Sequence, residues 1–262
     1  RIVAMCNQKG GVGKTTSTIN LGACLAEQGR KVLLVDLDPQ GALSAGLGVA
    51  HHDLDLTVHN LLVGSRVDID DVMMRTRVDN LDLLPSNIDL SAAEVQLVGE
   101  VAREQILARV LRPVLDDYDV VLIDCQPSLG LLTVNALTAA HGVIIPLETE
   151  YFAMRGVALL VETIDKITDR LNPGLTVDGI LATMYDGRTL HNRDIVDADG
   201  KFIARPDGWI DEVALAWEID SFAHHFSIDD HERTEAKRQL MQSHGIIVVT
   251  HHPRALRNAE ST

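Results

Sequence analysis

The sequence predicts an α/β fold: a mostly parallel, twisted sheet with helices on both faces, ending in an atypical C-terminal α+β segment. Three observations predict it. Short apolar runs recur along the chain, RIVAMC (1–6), KVLLVD (31–36), VVLID (120–124) and GVIIPL (142–147). They are continuous rather than alternating, as strands buried on both faces are. Helix-period segments separate them, as the crossovers between parallel neighbours require. A glycine-rich turn, Gly10 to Gly13, stands between the first run and the first helix.

The elements follow in order. Residues 1–6 are read as a strand, then a helix runs from Thr15 to Gln28 and stops at Gly29, the residue type that ends helices. Strands are predicted at 31–36 and 81–85. The segment 100–116 is predicted as one amphipathic helix with Val101, Ile106, Val110, Leu111 and Leu115 on its apolar side. Strand 120–124, helix 131–140 and strand 142–147 come next. A long helix, 153–171, is closed by Asn172-Pro173-Gly174 and is read as sheet-packing core. Strand 177–186 ends this part. Composition shifts near residue 187: Trp209, Trp217, Phe202, Phe222 and Phe226 all lie beyond it. Strands at 213–220 and 245–250 flank a helix at 229–243. The domain expectation is therefore residues 1–187 and a divergent segment, 188–262.

Composition excludes several classes. Hydrophobic residues are 46% and charged residues 23% of 262, which rules out a wholly disordered chain. A formal net charge of −15 makes the chain no obvious nucleic-acid or membrane binder, unless a local basic patch or assembly into an oligomer makes it one. No apolar run has the length of a membrane span, and the opening Arg1-Ile2-Val3 enters a strand without a signal-peptide pattern. Cys6, Cys24 and Cys125 are widely spaced and form no metal-ligand pair, so reduced thiols of a cytosolic chain are expected, with Cys125 a small buried residue. His51-His52 are read as a solvated loop.

The strongest chemical signal is Lys9-Gly10-Gly11-Val12-Gly13-Lys14-Thr15-Thr16, set between a strand and a helix. This is the context of a P-loop NTPase. Glycines let the backbone curl so that its N–H groups cradle phosphate oxygens, and the helix N-terminus adds positive potential. Lys14 is placed to reach the β- and γ-phosphates and the Thr15 hydroxyl to bind Mg²⁺. Two acid-bearing strand ends supply the rest. Asp36-Leu37-Asp38 closes the second strand, where an acid can hold a Mg²⁺-bound or attacking water. The apolar strand ending in Asp124 has the form of a Walker B segment, with Asp124 beside the metal.

These motifs carry a resemblance. KGGVGKTT is the deviant Walker A motif; VDLDPQG, LLPSN, VVLIDCQPSLGLLTVNALTAA, VIIPLETEYFAMRG and LATMYDGRT follow in the order found in the ParA/Soj partitioning ATPases. MinD and the nitrogenase iron protein are more distant relatives. The resemblance covers about residues 1–190. It implies Mg²⁺ and ATP as cofactors, ATP hydrolysis, and a switch between monomer and ATP-sandwich dimer in chromosome or plasmid segregation. On matching positions, Lys9 becomes the signature lysine that crosses to the partner's phosphates. Gly10, Gly11, Val12, Gly13, Lys14, Thr15 and Thr16 become the phosphate loop, Asp38 the switch I aspartate needed for hydrolysis, and Asp124 the Walker B acid. Gln126-Pro127 falls in switch II, where the family usually carries two prolines. Implied partners are a second copy of the chain, a ParB-like stimulating protein and non-specific DNA, with no membrane. The implied location is the cytoplasm, with nucleoid association.

The pattern is lost after Thr189. The best match to an adenine-contacting T-x-x-P-R loop is Thr250-His251-His252-Pro253-Arg254, with Arg257 and Glu260 following. Pro253 is the residue assigned to the nucleotide. The tail also resembles a Vsr-like PD-(D/E)XK nuclease core, with Asp207, Glu218 and Asp220 as Mg²⁺ ligands and His224 and His225 nearby. The rival readings are an ATPase fused to a divalent-metal-dependent nuclease-like tail, an inactive nucleotide-binding scaffold, and a MinD-like membrane regulator or cluster carrier. No amphipathic terminal helix or paired cysteine favours the last.

Overall fold

The apolar runs become the middle of one sheet. β1 (Ile2–Met5) and β2 (Val32–Leu37) are buried at every position. The computed structural model describes residues 1–64, 66–148 and 154–184, and beyond them short strands at 195–196, 202–204, 208–210, 215–219 and 247–251. After β2 come β3 (Met74–Arg75), β4 (Leu81–Leu84), β5 (Val120–Cys125), β6 (Gly142–Glu148) and β7 (Thr176–Thr183). They form a seven-stranded sheet in the order β3-β4-β2-β5-β1-β6-β7. Only the edge strand β3 is antiparallel, to β4; the other pairings are parallel. β2, β5 and β1 have strands on both sides and helices above and below, which is why their sequences are continuously apolar.

The pleat sends alternate residues to opposite faces. Leu33, Val35, Ile2, Ala4 and Ile123 enter one core; Val32, Leu34, Val3 and Leu122 enter the other. The helices are α1 (Lys14–Glu27), α2 (Ala42–Gly46), α3 (Val58–Leu62), α4 (Ile69–Val72), α5 (Leu90–Gln96), α6 (Ile106–Leu111), α7 (Leu131–Ala139) and α8 (Met154–Arg170). α1 and α2 cover the second core through Ala26 and Leu43. α3 to α8 cover the first, with Leu160, Ile164 and Ile167 of α8 buried at helical spacing as expected of a sheet-packing helix. Gly22 lets α1 lie close to β2: a Cβ there would fall 2.7 Å from Leu34 Cδ2. Gly29 ends α1 in the left-handed region at φ 83°.

Two expectations are corrected. Segment 100–116 is not one helix. It is a 3₁₀ turn (Arg103–Gln105), then α6, then a second 3₁₀ turn (Arg112–Asp117). Ala102 takes φ 53°, which bars helix before it, and Pro113 has no N–H to continue the ladder after Leu111. Val101, placed on the buried side by the pattern, is 86% exposed. The last strand of the sheet stops at Thr183, because Met184 turns at φ 54°. β3 and the short helices α2 to α5 carried no periodic signal long enough to read.

The chain divides into two compact units, Arg1–Thr183 and Met184–Thr262. In the second, β8 (Ile195–Val196) pairs antiparallel with β9 (Phe202–Ala204). β10 (Gly208–Ile210) pairs antiparallel with β11 (Leu215–Ile219), which runs parallel to β12 (Ile247–His251). β11 and β12 coincide with the strands expected at 213–220 and 245–250; the helix expected at 229–243 lies outside the described residues. Among the described residues no helix is long and apolar enough to cross a membrane.

Candidate functional site

The site is built where three central strands end level with one another. Met5 of β1 and Asp36 of β2 both stand in register with Asp124 of β5. Parallel α/β sheets present their ligand crevices at these carboxyl ends.

The loop from Cys6 to Gly13 leaves β1 and delivers α1. Gly11 and Gly13 take φ 75° and 82°, a conformation that strains any residue with a side chain. Gly13 caps α1 without a side-chain acceptor, and no acid lies in the first turn. The first-turn N–H groups and the positive helix end are thus left for an anion. The loop is braced from below. Buried Asn7 donates to the Pro146 carbonyl of β6 at 2.7 Å and accepts from the Lys9 N–H at 3.0 Å. Thr183 Oγ1, at the end of β7, donates to the Val12 carbonyl at 2.8 Å.

Lys14 is 6% exposed, and its Nζ donates to the Lys9 carbonyl at 3.0 Å. Burial lowers its pKa from the ordinary lysine value, opposed by the negative charge of Asp124 and, more weakly, of Asp38. Lys9 Nζ pairs with Glu148 at the end of β6 and is 41% exposed. Thr15 is half-buried, while Gly10, Gly11 and Thr16 are exposed.

The two strand-end acids have opposite surroundings. Asp36 is fully buried and satisfied: Oδ2 accepts from the Ser44 N–H (2.9 Å) and Oγ (2.7 Å), and Oδ1 accepts from the Asp38 N–H (3.3 Å). Burial pushes its pKa up to about 6 despite these bonds. Asp36 therefore anchors α2 and the turn before it. Asp36→Ala would orphan the buried Ser44 donors and is expected to cost about 3 kcal/mol, read as a lower urea midpoint; Asp36→Asn, which keeps an acceptor, should cost less. Asp124 is equally buried, but neither oxygen has a hydrogen-bond partner of ordinary geometry. Burial first, then the charges of Asp36 and Asp38, push its pKa up to about 7; the nearby Thr15 hydroxyl and Lys14 oppose the rise. Half-buried Asp38 accepts from the Gln40 N–H through Oδ1 at 2.9 Å.

An orphaned, buried carboxylate beside a hydroxyl and a lysine fits a hard cation. Among the described residues no group of three His, Cys, Asp or Glu could hold a metal. Mg²⁺ suits such a place, because it keeps several waters and takes substrate phosphates as ligands. The fold thus brings Lys9, Lys14, Thr15, Asp38 and Asp124 to one end of the sheet.

Other expectations fare differently. Pro253, Asp207, Asp220, His224 and His225 lie outside the described residues; Glu218 lies on β11 and Thr250 on β12. Cys125 is 1% exposed, and the adjacent Cys6 thiol and burial hold its pKa above the ordinary value. His51 is corrected: it is 7% exposed, packed over Gly41, where a Cβ would fall 2.3 Å from its Cδ2. A glycine at φ 61° makes that room, and only His52 is exposed as read. Asn7, Ser44, Glu148 and Thr183 were not singled out from the sequence. Polar residues bordering apolar strands, as Asn7 borders RIVAMC, were the available signal.

Residues 1–177 match an AAA domain family. An uncharacterized Mycobacterium tuberculosis protein is 69% identical over 196 residues, 75% of this chain and 62% of that protein. This chain thus spans less than two thirds of that relative's length. The sporulation initiation inhibitor protein Soj of Bacillus subtilis is 46% identical over 202 residues, 77% of this chain and 79% of Soj. Among solved structures, cobyrinic acid a,c-diamide synthase of Mycobacterium smegmatis, with bound ADP and magnesium, superposes with a TM-score of 0.71 at 50% identity. That match covers 73% of this chain and 77% of the synthase.

Proposed function

We propose, from the premise that this chain belongs to the ParA/Soj family of AAA-domain ATPases, that it binds and hydrolyses Mg-ATP as a partitioning switch. The observation that carries the reading is the orphaned Asp124 carboxylate, buried beside Lys14 and Thr15 at the mouth of a left-handed glycine loop. Nucleotide and magnesium in the similar Mycobacterium smegmatis structure support the ligand assignment.

Each residue then has a task. The N–H groups of residues 10–16 bind the β-phosphate, and the α1 N-terminus adds its dipole. Lys14, already desolvated, places its charge against the β- and γ-phosphates. When bound, Mg²⁺ neutralises the charge that develops between those phosphates. Thr15 and Asp124 would hold it, directly or through a water. Asp38 orients the attacking water. Lys9 leaves Glu148 and reaches the phosphates of a second copy of the chain. Loss of the γ-phosphate removes the bridge and frees the dimer. A second copy, a ParB-like stimulator and non-specific DNA are the proposed partners, and a cytoplasmic, nucleoid-associated location follows from the same reading.

Light scattering tests the switch. Asp38→Ala should block hydrolysis and give a dimer that forms only with Mg-ATP. Lys14→Gln in the same background should remain monomeric. A monomer under all conditions would sink the switch.

A further inference from the structure

The loop after β5 carries a contact that the chemistry above leaves unused. Gln126 stands two residues beyond Asp124, and its Nε2 donates to Glu94 Oε1 of α5 at 2.9 Å. The same carboxylate lies over Gly130, the residue that caps α7. A Cβ built on Gly130 would fall 1.9 Å from Oε1 and 2.8 Å from Cδ of Glu94. Gly130 has an ordinary φ of −77°, so glycine serves here for room and not for backbone freedom. One side chain therefore meets the loop at its first residue and at its last.

Between those points the loop is tied to itself. The Ser128 N–H donates to the Gln126 carbonyl at 2.8 Å, and Thr133 Oγ1 of α7 donates to the Ser128 carbonyl at 2.7 Å. Such a segment shifts as a unit, and Glu94 is the side chain that fastens it to α5.

We infer that Glu94 is a positioning residue, a latch that holds the loop 126–130 through Gln126 and slows any movement of that loop toward a γ-phosphate. The inference rests on the ATPase reading of the neighbouring site. It gives switch II a restraint from α5, a helix with no residue in the phosphate cradle. A hydrogen bond to a carboxylate is stronger than a neutral one, so it is large enough to act as a brake. Its release leaves Lys14, Thr15 and Asp124 in place.

The test uses the full chain. Glu94→Ala is expected to raise kcat for ATP threefold or more, with KM and fluorescent ADP affinity changed less than twofold. Gln126→Ala should act in the same direction, and the double variant should exceed neither single one, as residues sharing one interaction do. Gly130→Ala, which displaces the carboxylate while leaving Glu94 and Gln126 unchanged, should also raise kcat. Glu94→Gln keeps an accepting oxygen but loses the charge, and its rate should fall between those of the parent and Glu94→Ala. Hydrogen exchange at residues 126–130 should rise in Glu94→Ala while exchange in β5 stays unchanged, and this reading needs no turnover. Unchanged exchange in the loop, or additive kcat effects of Glu94→Ala and Gln126→Ala, would overturn the latch. Faster exchange in a chain that hydrolyses no ATP would uphold the latch and sink the ATPase reading instead.

Discussion

Asp124→Asn is expected to move stability and turnover in opposite directions. Asp124 is buried in the centre of the sheet with no hydrogen-bond partner of ordinary geometry on either oxygen, and the like charges of Asp36 and Asp38 work against the nearby Thr15 hydroxyl and Lys14. A buried polar group without partners costs about 1–3 kcal/mol in proteins. An amide removes the charge and relieves the repulsion at nearly the same volume. At about 2–4 °C per kcal/mol for a chain of this size, the melting temperature without ligand should rise by several degrees. Turnover should fall about 100-fold, because the carboxylate proposed to hold Mg²⁺ or its water is gone. Calorimetry without nucleotide and a Mg²⁺-titrated ATPase assay check the two halves. A variant that is less stable and fully active would mean that Asp124 is structural. Strained or uncompensated groups that lower stability are a mark of functional sites.

Lys14→Gln is the second large effect. Lys14 spends its desolvation cost before any ligand arrives, held at 6% exposure against the Lys9 carbonyl. Such a preorganised cation stabilises developing phosphate charge strongly, because no solvent must rearrange around it. Its loss is expected to lower kcat/KM for ATP by about 100-fold or more. Lys9→Gln gives the contrast. Lys9 is 41% exposed and paired with Glu148, so its removal should spare ATP binding by a single chain and abolish the proposed ATP-dependent dimer. Nucleotide titration by fluorescence, read beside light scattering, separates the two lysines. Equal losses of nucleotide affinity in both variants would contradict the division of labour.

Much of this was legible in the residues. Continuous apolar runs fixed which segments are central strands, because a strand covered on both faces has no polar side to show. The glycine loop with Lys14 and Thr15 was legible because its geometry is local. Gly11 and Gly13 need left-handed backbone, and a helix must begin at the next residue. The pattern misled at 100–116, where periodicity said helix and Pro113 and Ala102 divided it.

What only the tertiary structure decided was the division of labour among residues that look alike in sequence. Asp36 and Asp124 both end apolar strands and stand side by side in register. Ser44 donates twice to one, while the other has only the nearby Thr15 hydroxyl and no partner of ordinary geometry. Likewise, Thr183 braces Val12 from 171 residues away, Asn7 reaches Pro146 across 139, and Gln126 finds Glu94 across 32. Local propensity and periodicity are written in neighbouring residues, so the sequence alone determines the central strands, the long helices and the phosphate loop. Partners of buried polar atoms depend on which strands lie adjacent and in what register. That is settled only when the whole sheet closes around its core.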